Sequence, residues 1–141
     1  MSTARQIDEA YVKTGQVRVV FKNRAVLGPE SVWAAEAALC AADQGKFWQY
    51  HDKLFENWAG ENQGAFSKAN LKRFASDLGL DAGAFGSCLD GDKTLTQVKN
   101  ETQESQARGV HGTPSFFIND ELVEGALRFE EFRRVIDSLL R

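Results

Sequence analysis

Four side chains and one dipeptide in this 141-residue chain have the types to do chemistry: Cys40, Cys88, His51, His111, and the Thr113-Pro114 bond within "GVHGTPSFFIND". A proline at the entry of an apolar strand cannot donate to the ladder and keeps the residue before it extended. An X-Pro bond also adopts cis at a cost of only about 0.5–1 kcal/mol, so Thr113-Pro114 is a candidate cis peptide. Cys40 is in helical phase with Trp33 and Ala37, and Cys88 with Phe85, which turns both thiols toward the core as inert buried cysteines. Neither follows a strand at a helix N-terminus with a second cysteine close behind it, the arrangement that makes a redox nucleophile. His51 borders the apolar stripe of its helix and reads as a partly buried structural residue. The spacings among the four match no zinc signature, so no metal site is expected.

These residues must be positioned by a mixed set of elements. "ARQIDEAYVK" places Ile7, Ala10 and Tyr11 on one helical face, with Gly15 where a left-handed cap falls. "VRVVF", Val17 to Phe21, is short and β-branched and predicts a strand. "LGPES" breaks the chain before the Ala-rich helix "VWAAEAALCAADQ". The next helix, "KFWQYHDKLFENW", has Phe47, Tyr50, Leu54 and Trp58 along one stripe. Ser67 and Asp81 are placed to cap two further helices, and another runs from about Lys93 to Arg108. "SFFI" and "ELVEG" flank Asn119-Asp120 as a β-hairpin, since both turn residues tolerate left-handed backbone. A last helix from about Phe129 turns Phe129, Phe132, Ile136 and Leu139 inward. The order is helix, strand, roughly five helices, hairpin, helix: one α/β domain with a helical insertion over about 30–108.

Composition limits the function classes. A chain of this length buries roughly two-thirds of its unfolded surface and needs no metal to form a core. The formal net charge of −3 argues against nucleic acid as a partner, because neutralising phosphates takes a clustered basic surface. Lys68, Lys72 and Arg73 lie opposite Leu71, Phe74 and Leu78 and read as a solvated helix face. No apolar run approaches a membrane span, and the N-terminus lacks the pattern of a secretion signal.

Four stretches in order and spacing, "YVKTGQVRVVFKN", "GPESVWAAEAALCAADQGKFWQYHDKLFEN", "NLKRFASDLGLDAGAFGSCLDGDK" and "ARGVHGTPSFFINDELVEGA", resemble the DsbA-like thioredoxin-fold proteins over nearly the whole chain. The resemblance implies a thioredoxin-like α/β fold carrying a helical insertion. It implies that Gly112, Thr113 and Pro114 form the cis-proline loop, where Thr113 pairs with an extended peptide or protein substrate. It places His111 in the loop facing a redox centre, within reach of a thiolate or a bound peptide. Cysteines at positions 40 and 88 can face each other in that family, so a structural disulfide stands beside the reading of two inert thiols. No cofactor is implied, and the family setting is extracytoplasmic.

One departure from the family matters for function. Its members carry Cys-x-x-Cys at the start of the first helix of the thioredoxin fold, and this sequence has no such motif. "ARQIDEAYVK" resembles the second half of that helix, with Met1-Ser2-Thr3 where the first strand and the cysteine pair are expected. The resemblance puts that strand between "VRVVF" and "SFFI". Its absence predicts either direct closure or strand exchange into a homodimer or larger oligomer. The functional expectation is a thiol-disulfide oxidoreductase domain that keeps the docking loop, lacks the catalytic pair and is inactive by itself. The rival is a non-catalytic peptide-binding or assembly module. Glutathione-using DsbA-like transferases also lack the pair, but keep an N-terminal strand and a catalytic serine absent here.

Overall fold

The computed structural model describes residues 2–141, which divide into two compact units, one built from the segments up to Phe21 and from Gln106 onward, the other from Lys22 to Ser105.

The second unit is helical: α2 (Pro29–Ala42), α3 (Phe47–Glu56), α4 (Lys68–Asp77), α5 (Ala82–Asp90) and most of α6 (Leu95–Ala107), with α1 (Thr3–Ile7) preceding it in the chain. Pro29 occupies the first turn of α2, where its missing N–H costs nothing. Gly28 before it has φ +98°, and a Cβ there would run into the Asn62 amide, so the helix entry requires glycine. Small buried residues, Ala35, Ala37, Ala38 and Ala41, let α2 approach its neighbours closely. Tyr50, Leu71, Phe74, Phe85 and Leu89 fill the space between, and the Tyr50 hydroxyl donates to the Leu71 carbonyl at 2.8 Å. Ser67 caps α4 and Asp81 caps α5 through their side-chain oxygens.

In the other unit, α1 runs on as a π-helical turn over Asp8–Val12, and β1 (Ser115–Ile118) pairs antiparallel with β2 (Glu121–Glu124) before α7 (Phe129–Leu139). Asn119, at φ 53°, takes the left-handed backbone that the two-residue turn needs. Tyr11, Val123, Phe132 and Ile136 form this unit's core, and the Tyr11 hydroxyl donates to Asp137 at 2.6 Å.

The main correction to the sequence reading is that Val17–Phe21 is no strand. β1 and β2 pair only with each other among the described residues, so the β-branched run has no ladder. A strand is a property of a pair, and β-propensity alone supplies no partner. Val19 and Val20 are left 49% and 58% exposed. Three smaller corrections concern helix faces. The wider π-turn turns Ala10 outward while Ile7 and Tyr11 stay packed; α3 ends at Glu56, leaving Trp58 62% exposed beyond it; and Leu139, at the frayed end of α7, is exposed rather than inward.

Candidate functional site

The loop from Gly109 to Pro114 connects α6 to β1. Gly109, at φ +79°, ends the helix in a conformation that a side chain would resist, and Val110 is buried as the loop's anchor. His111, Gly112, Thr113 and Pro114 then lie exposed in succession, with Thr113-Pro114 in the cis form. The loop is tied at both ends. Ser115 Oγ donates to the Gly112 carbonyl at 2.7 Å, and the Gly125 N–H donates to the Pro114 carbonyl at 2.9 Å. Beneath it, the Arg108 guanidinium stacks 3.7 Å from the Phe117 ring centroid, and Phe116 meets Phe132 edge to face.

Between the two ties, neither backbone group of Thr113 bonds to another described residue. The strand that follows uses one edge for β2 and leaves its other edge without a ladder among the described residues. A rigid base therefore carries an exposed run of backbone donors and acceptors, which is the chemistry of strand addition. The same unit holds the segment Val17–Phe21, in which Val17 packs against the core while Val19, Val20 and Phe21 are exposed.

The cysteines belong to the helical unit, where α2 and α5 bring them together in a disulfide with a Cα–Cα distance of 5.9 Å. His51 is wedged on α3 among Phe47, Trp48 and Phe55, with Nδ1 3.0 Å from Asp52. Among the described residues, no group of three His, Cys, Asp or Glu is placed to hold a metal. Lys68 lies over Trp33, Arg73 over Phe74, and Lys72 pairs with Asp90, so these cations serve local contacts.

Several polar residues matter more than their sequence context suggests. Glu101 is buried and accepts both the backbone N–H and the side-chain amide of Asn23, each at 2.9 Å, while Thr102 accepts from the Ala25 N–H. Side chains of α6 thus do for this strap what a neighbouring strand would otherwise do. Glu30 accepts from the N–H groups of Gly64 and Phe66, fixing the long loop between α3 and α4. Glu36, buried on α2 with Oε1 unpartnered, has its carboxyl pushed up to about 7, first by burial and then by the hydrogen bond and like charge of Asp92. No amphipathic period flags any of these, because each depends on a partner distant in sequence.

Comparison with known proteins places this geometry. The family model for thioredoxin matches residues 2–138. The chain is 26% identical to Disulfide bond formation protein D of Bacillus subtilis over 96% of its own length and 60% of that protein's. It is also 30% identical to the Na(+)/H(+) antiporter NhaA of Herminiimonas arsenicoxydans over 80% of its length, and it spans only 16–20% of the first antiporter relatives it matches. The thiol-disulfide exchange protein alpha-DsbA2 of Wolbachia pipientis superposes with a TM-score of 0.80 at 26% identity, over 97% of this chain and 71% of that one. BdbD of Bacillus subtilis shares the fold, with a TM-score of 0.87 at 23% identity, over 96% of this chain and 75% of that one.

Proposed function

The chain belongs to the thioredoxin family and has the fold of its DsbA-like members, and from that premise we propose that it is a docking domain of the thiol-disulfide oxidoreductase lineage. Its Gly112-Thr113-Pro114 loop, with His111 beside it, receives an extended peptide or protein segment. The observation that carries this reading is the unpaired backbone of Thr113, exposed beside a cis proline on a loop fixed at both ends. Backbone pairing at this loop supplies affinity without demanding a sequence, as suits a protein acting on many unfolded chains. Residues 30–108 form the helical insertion, and the setting is extracytoplasmic and oxidising, which the Cys40–Cys88 bond supports.

With cysteines only at 40 and 88, the docking loop carries no Cys-x-x-Cys of its own in these 141 residues. Docking at this loop does not itself deliver a thiolate, and the bond between Cys40 and Cys88 is the disulfide that these residues offer for exchange, so the expected inactivity is not supported. The test of the docking reading is a fluorescent, cysteine-free extended peptide. Binding should protect the amides around Thr113 from hydrogen exchange, and N-methylating alternate peptide amides should weaken it at least tenfold. Binding indifferent to N-methylation, or protection elsewhere, would sink the proposal.

A second reading, an assembly module, is favoured by the exposed apolar side chains Val19, Val20 and Phe21 together with the open edge of β1. A strand from a second copy satisfies both. Sedimentation at micromolar concentration should then give a dimer that Val20→Asp dissociates; a monomer at every concentration excludes this reading.

A further inference from the structure

We propose that the Cys40–Cys88 disulfide is an exchange site for small anionic thiols, which reach it through the cleft that opens over it. The cleft has a volume of about 520 Å³ and both cysteines line it. A volume of this order holds a small molecule. Its walls are Asp43 and Gln44 from the end of α2, Ala84 and Ser87 from α5, and Lys93 beyond α5. Gln44 is held in place by donating to the Asp81 carbonyl and accepting the Asp81 N–H at 2.8 Å, so the wall is fixed rather than incidental.

The two sulfurs differ in access. Cys88 is the less covered residue, 8% exposed against 1% for Cys40, which favours attack at Cys88 with Cys40 leaving toward the core. Lys93 stands at the cleft with its ammonium 2.8 Å from the Asp43 carboxylate, and its backbone N–H donates to the Cys88 carbonyl. That ion pair is exposed and exchanges partners at little cost, so a carboxylate of an anionic thiol can replace Asp43 on the Lys93 ammonium. Both cysteines are largely covered, so a small thiol reaches them more readily than a thiol carried on a folded protein does.

The exchange balances in two steps. A small thiol R–SH attacks Cys88 as its thiolate, forming the R–S–S–Cys88 mixed disulfide and breaking the Cys40–Cys88 bond, and its proton ends on the Cys40 sulfur. A second R–SH attacks the external sulfur, giving R–S–S–R and the Cys88 thiol. The small thiol is oxidised by two electrons in all and the protein reduced by two. The helical unit thereby gains a second state, in which α2 and α5 are no longer cross-linked.

The test follows reduction of the native protein by glutathione, which is anionic, and by 2-mercaptoethanol, which is neutral, with acid quenching and mass mapping of adducts. The rate should be first order in thiol, the mixed disulfide should sit on Cys88, and glutathione should react faster than its thiolate fraction alone predicts. Lys93→Gln should remove that advantage and leave the 2-mercaptoethanol rate unchanged. Ala84→Trp and Ser87→Trp, at exposed positions outside the core, should each slow both thiols about tenfold or more. A rate independent of thiol concentration would mean that the bond reacts only after unfolding, and would overturn the proposal. Adducts on Cys40, or tryptophan variants that react as fast as the parent, would overturn it as well. Peptide docking at Thr113 is unaffected by any of these variants, so the two proposals fail separately.

Discussion

Replacing Cys40 and Cys88 together by alanine lowers the unfolding free energy of the helical unit by about 4 kcal/mol. The bond closes a loop with a sequence separation of 48 residues. On chain-entropy grounds a cross-link over a loop of that length removes about that much freedom from the unfolded chain. Both residues lie in the main core, so the alanines also lose some packing, and the loss should not fall below the entropic figure. Urea unfolding under non-reducing conditions measures it, and the wild type under strong reductant should approach the double variant. A difference under about 1 kcal/mol would show that the unfolded chain is already constrained without the bond, or that the bond strains the fold.

Glu36→Gln stabilises the protein at pH 8 relative to pH 5, by about 1–3 kcal/mol, because the neutral amide avoids the cost of a buried charge. The carboxyl is raised from 4.5 to about 7 in the fold, so in that window the folded state holds a proton that the unfolded state has released. Stability from this group is full below the unfolded value, falls as pH climbs from about 4.5 to 7, and is then level. Asp92 faces the carboxyl and raises it, while the charges of Lys68 and Lys99 act in the opposite sense. The glutamine removes the slope because it cannot ionise. The measurement is the difference in unfolding free energy between parent and variant at pH 5 and at pH 8. A difference that is equal at the two pH values would show that Glu36 does not titrate across this range.

The two variants bear on function differently. The cysteine pair sets whether the helical unit holds together once small thiols act on it, whereas Glu36 sets the pH at which that unit is most stable. Both variants lie in the unit from Lys22 to Ser105, and the docking loop's residues belong to the other unit.

Much of the fold was legible in the sequence because local rules decide it. Ser67 and Asp81 cap their helices because a short oxygen side chain can reach a free N–H within one turn. Asn119-Asp120 makes the hairpin turn because left-handed backbone is local chemistry. Tyr50, Leu54, Leu71 and Phe74 pack inward because their spacing puts them on one face. The loop at Thr113-Pro114 stood out because proline constrains its own neighbours, and the resemblance to a family then supplied a role for it.

The rest depends on contacts that no local pattern encodes. Val17–Phe21 has the composition of a strand, but a ladder needs a second backbone alongside, and no described residue pairs with it. Trp58 continues the stripe of α3 on paper, yet the helix ends before it and the ring faces solvent. Glu101 and Glu36 look like ordinary solvent-facing helix residues. One is drawn into the interior by the strap at Asn23, and the other is buried against Asp92. By itself the sequence determined which segments coil, which side chains cap them, and which loop exposes its backbone, since propensity, capping and turn chemistry act over a few residues. Only the tertiary structure decided which strand finds a partner, which carboxylates lose their water, and that a cleft lies over the disulfide, because each of these is set by what distant segments bring into contact.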